Sequence, residues 1–157
     1  MFILRTFMLL ALVVWLGGII FFAFVVAPTA FTVLPTTTLA GDVVRRSLTA
    51  LHWMGIVAAA VFLICSLAFN RAKSARLKAF ALVNVLVVIM LVLTLISQFG
   101  ITPEIRALRA ELHAADSLQG SDAGNEFNRM HQWSTRLEGG VLFLGVAVVV
   151  LTARRFS

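Results

Sequence analysis

Apolar residues run along this chain in four long stretches separated by short polar ones, and that pattern predicts four membrane-spanning helices. The stretches are Phe7–Ala27, Leu51–Phe69, Ala79–Ile101 and Gly139–Ala153, the last extending back to Trp133. A hydrocarbon core about 30 Å thick needs roughly 20 helical residues to cross it, so the first three are long enough outright. The fourth, taken as 133–153, is long enough if Arg136 and Glu138 lie near its mouth. The expected architecture is all-α: one integral membrane domain over 1–157, a four-helix transmembrane bundle of two helical hairpins.

The polar segments carry turn and cap signals. Pro28, Pro35 and the Thr36–Thr38 run predict that the first helix ends near Pro28 and that Thr38 caps a helix starting near Leu39. Val43, Ser47, Ala50 and Met54 recur at helical spacing, so that helix is expected to continue unbroken through the second span. Thr102, Pro103 and Glu104 read as an N-cap, a first-position proline and a first-turn acid. They open an expected external amphipathic helix, Pro103–Leu118, between spans three and four, with Ile105, Leu108, Leu112 and Ala115 on one face. Ser117–Asn125 reads as a flexible polar loop.

Composition and charge add an orientation. The 157 residues are 61% apolar and 13% charged, which excludes a chain that covers itself with polar surface in water. The net charge of +6 is unevenly placed, because one side of the four-span layout receives Arg5, Arg71, Lys73, Arg76, Lys78, Arg154 and Arg155 and no acid. Every acid, from Asp42 to Glu138, falls on the other side. Short basic loops mark the cytoplasmic face, so a multi-pass protein of the inner (plasma) membrane with both termini cytoplasmic is expected. Attraction of the basic side to anionic headgroups accounts for the charge, so the partner is the lipid bilayer and not nucleic acid. A homo-oligomer or another membrane protein is the further partner class. The first stretch is longer than a signal-peptide core, and Ala27-Pro28 is a poor cleavage context, so a retained span is expected. The lone Cys65 allows no intramolecular disulfide.

Few residues carry candidate chemistry. Each hairpin has a proline at its far exit, Pro28 or Pro103, and a histidine with tryptophan at its re-entry, His52-Trp53 or His131-Gln132-Trp133. Such a repeat of parallel hairpins would be related by an axis along the membrane normal. His52 and His131 are candidate metal ligands, haem ligands or proton relays, or else interfacial residues bonded to loop carbonyls. Glu138 shares a helix face with His131 and Thr135. An intramembrane carboxylate needs a partner, so Glu138 is either a third ligand beside the histidines or the acid of a salt bridge to Arg45, Arg46 or Arg136. Trp15, Gly17 and Gly18 form a packing notch or line a cavity, with Gly139, Gly140 and Gly145 as a matching notch. Asn84 is expected to make an interhelical hydrogen bond. No phosphate loop, paired cysteines, His-Glu-x-x-His or nucleophile elbow occurs, so an enzyme is not expected.

Taken in order, several short pieces resemble the transmembrane-protein-205-like family. They are Trp15 through Gly17-Gly18 to Phe24, Ala27-Pro28, Phe31, Leu34-Pro35, Gly41-Asp42 and Leu51-His52, then Pro103, Ile105-Arg106, Leu108-Arg109, Phe127, Met130-His131 and Ser134. The resemblance implies a four-helix membrane domain with a histidine at the head of each second hairpin helix, and it implies no established reaction. The functional expectation is a membrane protein handling a small solute or metal ion at an external-facing cavity. A haem-binding redox protein, with the cofactor between His52 and His131, and a structural or assembly protein are the alternatives.

The charge placement makes a direct prediction. Alkaline phosphatase joined after Thr38 should be active and the same enzyme joined at the C-terminus inactive, whereas the opposite pair of results would invert the topology.

Overall fold

In the computed structural model, which describes residues 2–72, 77–105, 107 and 122–156, every regular element is helical. The elements are α1 (Phe2–Phe21), a π-helical segment π1 (Phe22–Val26), α2 (Ala27–Val33), α3 (Thr37–Ala72), α4 (Leu77–Leu95), a second π-helical segment π2 (Ile96–Ile101) and α5 (Asp122–Phe156). Four of the resulting helical rods are long and apolar enough to cross a membrane: Phe2–Val33, Thr37–Arg71, Leu82–Ile105 and Arg129–Arg154. The chain is therefore an all-α four-helix bundle of the multi-pass membrane type.

The prolines act differently from the expectation that Pro28 ends the first helix. Proline lacks an N–H and its ring crowds the carbonyl one turn back, which normally breaks a helix. Here the turn before each proline widens instead. The Ala27 N–H donates to the Phe22 carbonyl and the Thr102 N–H to the Ser97 carbonyl, both at the five-residue π spacing, and proline follows immediately in each case. The rods continue past Pro28 to Val33 and past Pro103 to Ile105. Thr102 is correspondingly not a cap: its backbone is helical and its hydroxyl donates back to the Ser97 carbonyl at 2.8 Å. Chain reversal is left to Pro35, which forces the preceding Leu34 into an extended conformation (ψ 141°). Thr36, not Thr38, then caps α3, its Oγ1 accepting from the Leu39 N–H at 3.2 Å. Helix α3 runs unbroken for 36 residues, as the spacing of its apolar positions predicts. Helix α5 begins at Asp122, so 122–125 are helical rather than loop. Most of the expected amphipathic helix after Ile105 lies outside the described residues.

Packing follows a ring: α1 lies against α3, α3 against α4, α4 against α5 and α5 against α1. Each helix turns inward a seam whose buried positions alternate by three and four. These are Met8, Leu12, Trp15 and Ile19 on α1, and Gly55, Ala59, Phe62, Ser66 and Phe69 on α3. On α4 and π2 they are Val83, Val87, Met90, Thr94 and Ser97; on α5 they are Ser134, Val141, Gly145, Val148 and Thr152, with the mostly buried Glu138 in register. That 3.5-residue period is the knobs-into-holes pattern of antiparallel bundles. Large apolar side chains such as Phe24, Ile64 and Phe143 point outward, where only lipid accommodates them at low cost.

The close approaches refine the expected glycine notch. Trp15 is almost wholly buried against Gly55 of α3, where a β-carbon would fall 2.5 Å from the indole Nε1. Gly18 faces Met54 and Leu51, while Gly17 faces open space. On α5 the matching position is Gly145, seated against Leu16 and Met90; Gly139 meets nothing within 4 Å. At the end of the bundle that carries the N-terminus, the Arg5 guanidinium stacks over Phe69 at 5.3 Å. One turn further in from Phe69, the Ser66 hydroxyl donates to Asn84 Oδ1 at 2.7 Å, the interhelical bond expected of Asn84.

These contacts predict a contrast between two glycines. Gly55→Ala should lose about 1–3 kcal/mol by overpacking against the rigid indole, whereas Gly17→Ala should gain up to about 1 kcal/mol of helix propensity. Denaturation in micelles measures both, and equal effects would contradict the packing.

Candidate functional site

Polar side chains inside a membrane bundle have no water to bond and must satisfy one another. At one level of this bundle three helices supply such a set. His52 sits on the inward face of α3 one turn before Gly55 and is only 1% exposed. Its Nε2 lies 2.6 Å from Glu138 Oε1 on α5, and its Nδ1 lies 2.8 Å from Gln98 Oε1 on π2. Both ring nitrogens are therefore engaged. The Glu138 side chain is mostly buried, at 15% exposure. Helix α3 extends about four turns, roughly 22 Å, beyond His52, and α5 extends about as far beyond Glu138. The cluster thus lies within the bundle and not on its rim.

The π-helical segment places Gln98. Gln98 lies inside this widened turn of the third span, and π-bulges of this kind recur at functional sites. Ser97, beside Gln98, is 1% exposed and its hydroxyl has no hydrogen-bond partner. Outside the cluster, Trp53 and Phe99 stack edge to face at 6.3 Å, tying α3 to π2 on the outward surface.

The hydrogen-bond inventory sets what this arrangement can do. With the Gln98 oxygen accepting, Nδ1 must carry a hydrogen, and the contact between Nε2 and the carboxylate then holds one more proton. That proton belongs to the pair: imidazolium with carboxylate, or imidazole with carboxylic acid. If the Gln98 amide turns over, its NH2 donates to Nδ1, Nε2–H donates to Glu138, and the cluster has released one proton. A half-turn of one amide thus accompanies loading or unloading.

The expected residues separate as follows. Glu138 meets His52 and not an arginine. Arg45 lies 3.7 Å from Asp42, Arg46 is exposed, and the Arg136 guanidinium stacks over Trp133 at 5.6 Å. His131 occupies the seam one turn beyond Ser134 but is exposed, and no group of three or more His, Cys, Asp or Glu side chains suited to a metal ion forms among the described residues. Metal ligation by His52, His131 and Glu138 together is thus not the geometry present: both nitrogens of His52 already have partners, and His131 is exposed while His52 is buried. Trp15 and Gly18 shape the packing close to the cluster, against Gly55 and against Leu51 and Met54 of α3. Sequence reasoning missed Gln98 and Ser97. Their signal was two adjacent polar residues near the end of an apolar run, five and six positions before Pro103.

A family match spans residues 10–114 of the chain. The chain belongs to that family, described as Domain of unknown function (DUF4149). The DUF4149 match takes in His52, Ser97 and Gln98 and stops before Glu138. No curated protein and no solved structure matches the chain.

Breaking the pair should be severe. His52→Ala or Glu138→Leu alone should cost about 3–5 kcal/mol, since each strands a buried polar partner. The triple replacement His52→Phe, Gln98→Leu, Glu138→Leu should cost far less than the sum of its parts. Denaturation in micelles decides, and simple additivity would contradict the cluster.

Proposed function

We propose that this DUF4149 protein handles a small solute or ion across or within the membrane in a proton-linked way, with His52 and Glu138 as the proton site and Gln98 as the group that follows its state. The observation that carries the reading is the buried contact of 2.6 Å between His52 and Glu138. A carboxylate and an imidazole are expensive to keep at membrane depth, and where such groups persist they mark ion pathways and proton relays. An enzyme role has nothing comparable behind it, because no nucleophile elbow or phosphate loop occurs in the sequence.

In this reading both termini are cytoplasmic in a plasma (inner) membrane, and the end bearing Asp42 and Glu104 is external, on the strength of the charge distribution. The likeness to the transmembrane-protein-205-like family, including Leu51-His52 and Met130-His131, belongs to the same proposal. A haem between His52 and His131 has less behind it, because each nitrogen of His52 already has a partner and His131 is exposed.

Infrared spectra of the purified protein in lipid, taken from acid to alkaline buffer, test the proton site. A carboxyl band that Glu138→Gln removes and an imidazole band that His52→Ala removes should titrate together. A Glu138 band and a His52 band that never change would overturn proton loading. Elemental analysis separates a metal-linked version, which does not survive if the His52→Ala, His131→Ala double variant retains the metal content of the parent.

A further inference from the structure

Among the described residues, two hydroxyls on the inward seams, Ser97 and Thr152, are buried without a hydrogen-bond partner, and of the two Ser97 adjoins the polar cluster. Its hydroxyl is buried and without a partner, although leaving such a group unsatisfied costs free energy that a mere change to alanine would avoid. Its position can be read from the helix pair it belongs to. Met90 of α4 packs on Gly145 of α5. Two turns along α4 and π2 from Met90 comes Ser97, and two turns back along α5 from Gly145 comes Glu138, both on the inward seams. Helical spacing therefore sets Ser97 and Glu138 at the same level of two seams, and π2 packs directly on α5.

The backbone adds a third oxygen. The Thr102 N–H is taken by the Ser97 carbonyl, and the next residue is Pro103, so the Gln98 carbonyl has no N–H at the π spacing to receive. Hydroxyl, carboxylate and main-chain carbonyl are all hard oxygen donors, which suit alkali and alkaline-earth cations and not the softer transition metals. One carboxylate supplies one negative charge. A monovalent cation is neutralised by it, whereas a divalent one would leave a net positive charge buried in hydrocarbon.

We propose that Ser97 Oγ, the Glu138 carboxylate and the Gln98 carbonyl form a binding site for a dehydrated monovalent cation of the sodium type, occupied in exchange for the proton of the His52–Glu138 pair. This rests on the proton-linked reading above and names the ion. When the pair holds its proton, Glu138 is neutralised and the cation has no counter-charge. When the proton leaves, Nε2–H still donates to one carboxylate oxygen and the other is free for the cation, so one positive charge replaces another. Among the described residues, the titratable and charged side chains near Glu138 are His52 from α3 and, on its own helix, the outward-stacked Arg136 and exposed His131. The single charge of α1, Arg5, lies at the far end against Phe69.

The test uses purified protein in detergent, with sodium chloride against choline chloride. Sodium should raise the melting temperature and give a saturable calorimetric isotherm in alkaline buffer, with apparent affinity falling about tenfold per pH unit once the pair is protonated. Ser97→Ala should fold at least as well as the parent in choline yet lose tenfold or more in sodium affinity, and Ser97→Thr should retain most of it. The inference is overturned if sodium, lithium and potassium all behave as choline does, or if Ser97→Ala binds sodium as the parent does. The infrared titration of Glu138 in the same samples separates the two levels. An intact proton site without cation response removes only this inference, and a silent Glu138 removes the reading beneath it as well.

Discussion

The hydrogen-bonded pair of His52 and Glu138 is the constraint on which the rest of this bundle depends. The apolar interior of the bundle offers no donor or acceptor, so a carboxylate and an imidazole buried in it must find each other. Their meeting sets the register of α3 against α5, two helices whose apolar seams alone would tolerate sliding by a heptad. Gln98 brings the third span into the same register. The glycine contacts then let the helices close: the Trp15 indole fills the space that Gly55 leaves open, and Leu16 and Met90 fill the one at Gly145.

The two hairpins share a device that a hydropathy profile conceals. In each, a π-helical turn ends two residues before a proline, so the rod changes its hydrogen-bonding pattern without stopping. Such matched irregularities at Ala27-Pro28 and Thr102-Pro103 strengthen the similarity of the hairpins more than the shared histidines do. The two hairpins differ in chemistry. The second hairpin carries polar Ser97 and Gln98 before its proline, where the first has Phe22 and Ala23.

Much of this was readable from the residues. Four spans, the long unbroken helix through the second span and the Ser66–Asn84 type of contact follow from run lengths, spacing and the cost of a lone polar group. The need of Glu138 for a partner was equally plain, but its identity was not, because arginines nearby in sequence compete on paper with a histidine 86 positions away. Pairing His52 with His131 failed for a related reason: matched places in two hairpins do not imply matched depth, and α5 extends well beyond the bundle level at which His131 would have been buried. The prolines misled because breaking a helix and widening one turn leave the same apolar pattern.

Distance and protonation at His52 decide the account most directly. Solid-state nuclear magnetic resonance on protein in bilayers, with nitrogen-labelled histidine and carbon-labelled glutamate, reads both. A through-space cross-peak between the His52 ring and the Glu138 carboxyl, abolished by Glu138→Leu, is the predicted result. A His52 ring that shows no such cross-peak and exchanges its protons freely with water would contradict it.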